Sequence, residues 1–332
     1  MRYTQGRPSL ARRGKTRCPQ CGRKTFVNYI YPDGTPVADG ECGKCDRADH
    51  CAYHMPPRQW NALHRSPSAP VRHEPPRPLQ PSFMPTELMA RSLGHYERNP
   101  LARFLHGVFD PHLGADRVDS VLMDYGLGTS ALWGGAAVFW QVDHLGRVRT
   151  GKVIGYDPLT GHRIHDRNTW VHALPTLRRP DFNLRQAYFG AHLMRNVSGN
   201  PTILLFESEK GALITALLMH LLGCERTFIP MACGGCAGFN PSADLRGDPW
   251  DKHQVLRGRR VALFPDQGKY EEWDSRRPQL QGWAACCSIS RVMERPQAVE
   301  VAPGDGFDDL ILRHLASPLP LDALVTLFNR SF

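Results

Sequence analysis

Two stretches decide the fold: Thr202-Ile-Leu-Leu-Phe-Glu207-Ser-Glu209-Lys210-Gly211 and Val261-Ala-Leu-Phe-Pro-Asp266-Gln-Gly268. Each is a short apolar run of the length of a buried parallel strand, and each ends abruptly in a carboxylate. In open α/β sheets ligands bind beyond the carboxyl ends of the strands, so Glu207 and Asp266 stand where a catalytic acid is expected. Two such acids on neighbouring strands can share a divalent cation, and a cation there faces phosphate.

Outward from these stretches, strand and helix alternate. Strand Ile203–Phe206 leads to a helix over Gly211–Leu222, and strand Thr227–Ala232 to a Gly-rich turn. Strand Val261–Phe264 leads to a polar helix holding Tyr270, Glu271, Glu272 and Trp273, then come strand Ala284–Ile289 and a helix near Asp308–Leu315. This order predicts a parallel, Rossmann-like α/β sheet. Upstream, the apolar spacing of Glu87–Phe109 predicts helix, as does Ala115–Tyr125. The runs Ala136–Asp143 and Arg147–Tyr156 around a Leu-Gly turn predict an antiparallel meander, so a small α+β region precedes the α/β region. Arg149 and Lys152 on the meander, with Trp140 and Tyr156 nearby, are a pattern that suits single-stranded nucleic acid; the same aromatics would otherwise pack inward.

At 332 residues the chain has room for two or three domains. A formal net charge of +9, with basic residues from Arg2 to Lys24 crowding the N-terminus, favours a polyanionic partner. No apolar run approaches a membrane span and no secretory leader is visible, so the expected location is cytoplasmic, with no membrane partner. In such a compartment the ten cysteines are expected as metal ligands and buried thiols rather than disulfides.

Cys18-Pro-Gln-Cys21-Gly22 has the spacing of a zinc knuckle. A strand over Thr25–Tyr31 and an Asp33-Gly34 turn bring the chain back to Cys42-Gly-Lys-Cys45 and on to Cys51 and His54, so a zinc β-ribbon is expected. Zinc takes four ligands. Cys18 and Cys21 supply two, while Cys42, Cys45, Cys51 and His54 compete for the others, simple knuckle spacing favouring Cys42 with Cys45. The segments are therefore a basic tail (1–15), the zinc ribbon (16–60), a Pro-rich linker (61–85), the α+β region (86–198), the α/β region (199–316) and a terminal segment (317–332).

The acid-bearing half resembles a Toprim domain, the metal-binding fold of bacterial primases and topoisomerases. Glu207-Ser208-Glu209-Lys210-Gly211-Ala212 is similar to its Glu-Gly-x-x-x-Ala motif, and Ala232-Cys-Gly234-Gly235-Cys236-Ala-Gly238 to its glycine loop. Asp266-Gln267-Gly268 matches half of its Asp-x-Asp motif, glycine replacing the second acid, and Gly304-Asp305-Gly-Phe-Asp308-Asp309 resembles its closing Asp-rich helix start. The whole order resembles primase-like proteins of bacterial mobile elements, whose zinc ribbon ends in a segment matched by Gly43-Lys-Cys45-Asp46-Arg47 through Cys51-Ala-Tyr53-His54 and Pro57. The central Tyr125–Asp143 and Thr150–Tyr156 segments are similar as well. This resemblance implies Cys45 and Cys51 as the remaining ligands of a structural zinc. It also implies Glu207 and Asp266 as catalytic acids. By position alone, Lys210 just past the first strand end reads as a phosphate-neutralising residue or as a surface lysine on the first helical turn, and Arg149 and Lys152 as phosphate-tracking residues of the meander. The implied function is nucleotidyl transfer on single-stranded DNA, dependent on Mg2+ or Mn2+, with a separate replicative helicase as a further partner. A non-catalytic DNA-binding replication or mobilisation factor and a Toprim nuclease are the alternatives. Cys233 and Cys236 also read as buried thiols or a redox or second metal pair.

Overall fold

In the computed structural model, which describes residues 7–47, 50–64, 80–235, 238–241, 247–295 and 297–329, the cysteine-rich segment is a four-stranded antiparallel sheet. Its strands are Ser9–Leu10 (β1), Phe26–Ile30 (β2), Gly43–Cys45 (β3) and His54–Met55 (β4), followed by the short helix Pro57–Leu63 (α1). Buried Phe26 forms the core of this sheet together with Cys18 and Cys45, and Tyr53 packs beside it. This is one of two compact units, Met1–Pro76 and Arg77–Phe332.

The second unit begins with Thr86–Ser92 (α2), Pro100–Leu113 (α3) and Ala115–Asp124 (α4). The single helical run expected over Glu87–Phe109 is broken in two. Gly94 takes a left-handed φ of 76°, and Pro100, which has no N–H to give an earlier turn, starts a fresh helix instead. Asn99 caps that helix: its buried Oδ1 accepts from the Leu101 and Ala102 amides at 3.1 and 3.3 Å, while Nδ2 donates to the Gly128 carbonyl at 3.1 Å. The meander is larger than expected. Leu127–Thr129 (β5), Ala137–Val142 (β6), Val148–Tyr156 (β7) and Arg163–Trp170 (β8) form one antiparallel sheet in that order. β8 is polar and exposed along most of its length, so it carries no apolar alternation by which to recognise it.

A parallel sheet follows, built from Thr202–Phe206 (β9), Phe228–Ala232 (β10), Arg260–Phe264 (β11) and Cys286–Ile289 (β12) in the order β10-β9-β11-β12. Helices Glu209–Leu221 (α5), Tyr270–Arg276 (α6), Phe307–Leu315 (α7) and Leu321–Asn329 (α8) complete the unit. Because β10 and β11 lie on opposite sides of β9, the strand order reverses at β9–β11, the place where ligand crevices open in such sheets. The fold is thus a mixed α/β unit with a parallel sheet, preceded by a small β-ribbon unit.

Three expected boundaries change. One continuous core joins Leu101, Phe109 and Phe139 of the α+β region to Phe206, Leu217 and Phe307 of the α/β region, so residue 198 is not a physical division. The expected linker ends before Met84, which is buried and whose amide donates to the Val148 carbonyl at 2.8 Å; its residues 65–79 lie outside the described ones. The terminal segment contains α8, which joins the same core through Leu324, Leu327 and Phe328. No helix among the described residues is long and apolar enough to cross a membrane.

Replacing Asn99 by alanine removes a helix cap and leaves a buried carbonyl unpaired, so Asn99→Ala should lower stability by about 2–3 kcal/mol in urea unfolding. A loss within about 0.5 kcal/mol would show that the cap does not hold this region together.

Candidate functional site

β9 and β11 run in register, with Phe206 opposite Phe264. Glu207 therefore leaves the end of one strand beside the point where Asp266 leaves its neighbour. α7 adds Asp308 and Asp309 from its first turn. These four carboxylates line a cleft of about 500 Å³, together with Asp305 and Glu209. Gly306 sits between two of the acids: a β-carbon there would lie 2.5 Å from an Asp308 oxygen and 3.1 Å from an Asp266 oxygen.

Two lysines enter the same cleft. Lys210 Nζ pairs with Asp308 at 3.0 Å and Asp309 at 3.5 Å; burial works against its charge, but the two carboxylates hold it above the usual lysine range. Lys152 reaches across from β7, bonding both Glu209 oxygens at 3.2 and 3.1 Å and the Gly234 carbonyl at 3.3 Å. Glu209 is buried, so removing Lys152 would strand a charge at a cost of about 3–5 kcal/mol.

Glu207 and Asp266 are more weakly compensated: Lys269 and Arg276 favour the charge of Glu207, and Lys210 that of Asp266, without offsetting burial. Glu207 Oε1 is buried with no hydrogen-bond partner, and burial pushes its carboxyl above the usual range. Asp266 is pushed up to about 8, first by burial and then by the charges of Glu207, Asp308 and Asp309, with Lys210 opposing. An under-neutralised group of carboxylate oxygens is what a hard divalent cation requires, so these residues fit Mg2+ or Mn2+.

The remaining sequence-derived residues fall as follows. Arg149 does not face the cleft, which corrects its expected phosphate role. It is 3% exposed, donates to Asp143 at 2.7 Å and to the Arg185 carbonyl at 3.2 Å, and packs near Phe83 and Trp250. A buried arginine whose charge is already answered by a carboxylate is held away from the cleft. Trp140 and Tyr156 are buried and offer no stacking face. Cys233 is buried, its thiol donating to the Gly235 carbonyl at 3.2 Å and pushed up to about 12 by burial, which keeps it protonated and unreactive at neutral pH. Cys236 lies outside the described residues. Arg163 and His162 also line the cleft but belong to the polar strand β8 and its leading turn, where the sequence offers no motif to single them out.

In the ribbon, Cys18, Cys21, Cys45 and Cys51 place their sulfurs within 4.8 Å of one another. The Cys18–Cys51 and Cys21–Cys45 separations are 3.7 and 4.0 Å. A tetrahedron of sulfurs about 2.3 Å from a zinc ion has edges of about 3.8 Å, so the four thiols fit structural zinc. Cys42 is buried outside this group, and His54 Nε2 instead meets the Tyr29 hydroxyl at 3.0 Å.

The chain belongs to the family described as domain of unknown function DUF6371, whose model matches residues 99–267. A zinc beta-ribbon finger model matches residues 7–66. No curated protein matches the sequence. Among solved structures, the primase fragment of the bacteriophage T7 primase-helicase is 14% identical, covering 96% of this chain and 99% of that one at a TM-score of 0.39. The Escherichia coli primase catalytic core is 14% identical, covering 74% and 72% at 0.36. The Aquifex aeolicus primase, with its zinc-binding and RNA polymerase domains, is 13% identical, covering 98% and 81% at 0.34. These likenesses are too loose to carry an argument about chemistry.

Cys51→Ser should lose the bound zinc of the purified protein, measured by elemental analysis, while Cys42→Ser retains one ion per chain; the reverse pattern would reassign the ligands. The cleft makes a second prediction, for protein held in chelator. The folded chain keeps a proton on Asp266 up to about 8, whereas an ordinary aspartate loses it near 3.8. The folded state therefore binds the extra proton between these values, and stability should fall as pH rises through that window. Asp266→Asn should make the fall shallower in urea titrations at pH 6 and 8.5, and an unchanged slope would place the proton elsewhere.

Proposed function

We propose that the cleft binds Mg2+ or Mn2+ and supports primase-like nucleotidyl transfer on single-stranded DNA. The observation that carries this reading is the emergence of Glu207 and Asp266 side by side at the switch point of the parallel sheet, with Glu207 Oε1 buried and unpaired. The likeness of their sequence motifs to a Toprim domain, and of the chain order to primase-like proteins of bacterial mobile elements, agrees with it. A bound cation would supply Lewis-acid stabilisation to phosphoryl oxygens.

The chain's own residues divide the remaining work. Glu207 is the group for moving a proton, because it is buried, raised above the usual carboxyl range and unpaired at Oε1. Asp266 and Asp308 face each other across Gly306 and are the oxygen donors. Lys210 and Lys152 hold the acids around them in place and put positive charge on the cleft wall, where phosphate would approach. The basic N-terminal residues and the zinc ribbon would engage the template strand.

A second reading is favoured by Gly268, which stands where a second strand-end aspartate is expected, and by the way both lysines are already engaged by carboxylates. In that reading the chain binds DNA for replication or mobilisation without reacting on it.

Purified protein incubated with single-stranded DNA, labelled nucleotides and Mg2+ or Mn2+ should yield short oligonucleotides, and Glu207→Gln should reduce the yield by about 100-fold or more. Strand cleavage in place of synthesis would indicate a nuclease. DNA binding with neither reaction, unaltered in Glu207→Gln, would establish the non-catalytic reading.

A further inference from the structure

A second cavity, of about 530 Å³, opens next to the acidic cleft between α3 and α7. The two share His162 and Asp309 as lining residues. Where they adjoin, Arg313 of the second cavity pairs with Asp305 of the first and donates to the Glu300 carbonyl at 2.7 Å. The cleft and the groove are therefore consecutive compartments of one depression, with an ion pair as the sill between them.

Their chemistry differs. The cleft is walled by carboxylates and lysines, whereas the groove is walled by Phe104, Val108, Pro111, Leu312 and Leu315. Phe104 is fixed in place from behind: a β-carbon on Gly161 would lie 2.4 Å from its ring, so the turn before β8 rests directly on it. The groove's polar side chains are Thr160, His112, His162, Asp309 and Arg313.

We propose that this groove seats the base and sugar of a nucleotide whose phosphates lie in the acidic cleft. The inference rests on the reading of the cleft as a cation and phosphate site, and deepens it by assigning a separate subsite for the base and sugar. A nucleotide has the same order of parts: a polyanion at one end, then a sugar and a flat ring with an apolar face. The sill residues Arg313 and His162 stand where the sugar would cross. A fixed aromatic ring flanked by aliphatic side chains accepts any base by stacking, so the groove should favour nucleotides as a class with little discrimination among bases. Its volume lies in the range of sites that enclose small ligands.

Gly107 gives a direct test. It lines the groove from α3, is exposed, and a β-carbon added to it would meet nothing within 4 Å. Gly107→Trp therefore adds bulk at the groove wall without a clash at its β-carbon, and Gly107→Ala is the control. Calorimetric titration in Mn2+ with ATP and with inorganic tripolyphosphate separates the two compartments. Wild type and Gly107→Ala should bind ATP about tenfold or more tighter than tripolyphosphate. Gly107→Trp should abolish that difference while binding tripolyphosphate as wild type does. If ATP binds no tighter than tripolyphosphate, or Gly107→Trp leaves ATP binding unchanged, the groove assignment is overturned and the cleft reading stands. If wild type binds neither compound, the cleft reading itself fails and the groove assignment falls with it.

Discussion

The pairing of Phe206 with Phe264 on adjacent parallel strands is the constraint from which the rest of the site follows. Parallel strands in register end at the same level, so whatever follows each run emerges at one edge of the sheet. Here the followers are carboxylates. Their mutual repulsion and burial are unfavourable in isolation, and the surrounding structure is arranged to offset part of that cost. Lys210 on α5 answers the acids of α7, and Lys152 on β7 answers Glu209. Phe206, Phe264 and Phe307 pack against one another, which ties the two strand ends to the helix start.

The Lys152–Glu209 contact also explains why the two regions of the large unit behave as one. It joins residues 57 positions apart, and it lies above a core that is already continuous from α3 to α8. The antiparallel sheet is thus the near wall of the cleft, not a neighbouring module. Arg149 is three positions from Lys152 on the same strand and packs elsewhere, between Asp143, Phe83 and Trp250.

What could be read from the sequence follows from where periodicity is strong. The buried strands β9, β10 and β11 announce themselves as apolar runs, and their carboxylates as abrupt ends to those runs. The four zinc-compatible cysteines were legible only in part: spacing identified Cys18 and Cys21, while similarity to a known segment was needed to choose Cys45 and Cys51 over Cys42 and His54. Strand β8 was invisible because its exposed residues follow no alternation, and His162 and Arg163 went with it. The break at Gly94 was hidden by apolar residues that happen to keep helical spacing across it. The contrasting fates of Lys152 and Arg149 could not be told from sequence, since a basic residue on a strand looks the same whether its partner is a cleft acid or a buried aspartate.

Gly306 carries an implication of its own. Its backbone, at φ −94° and ψ 173°, is one that any residue adopts, so conformation does not demand glycine there. Space does, because even a methyl group would strike the Asp308 and Asp266 oxygens. The aperture between the two carboxylates is therefore one hydrogen atom wide in its tolerance. Chains that share this cleft should be recognisable by the absence of a side chain at that one position, even where their acids have shifted along the strands.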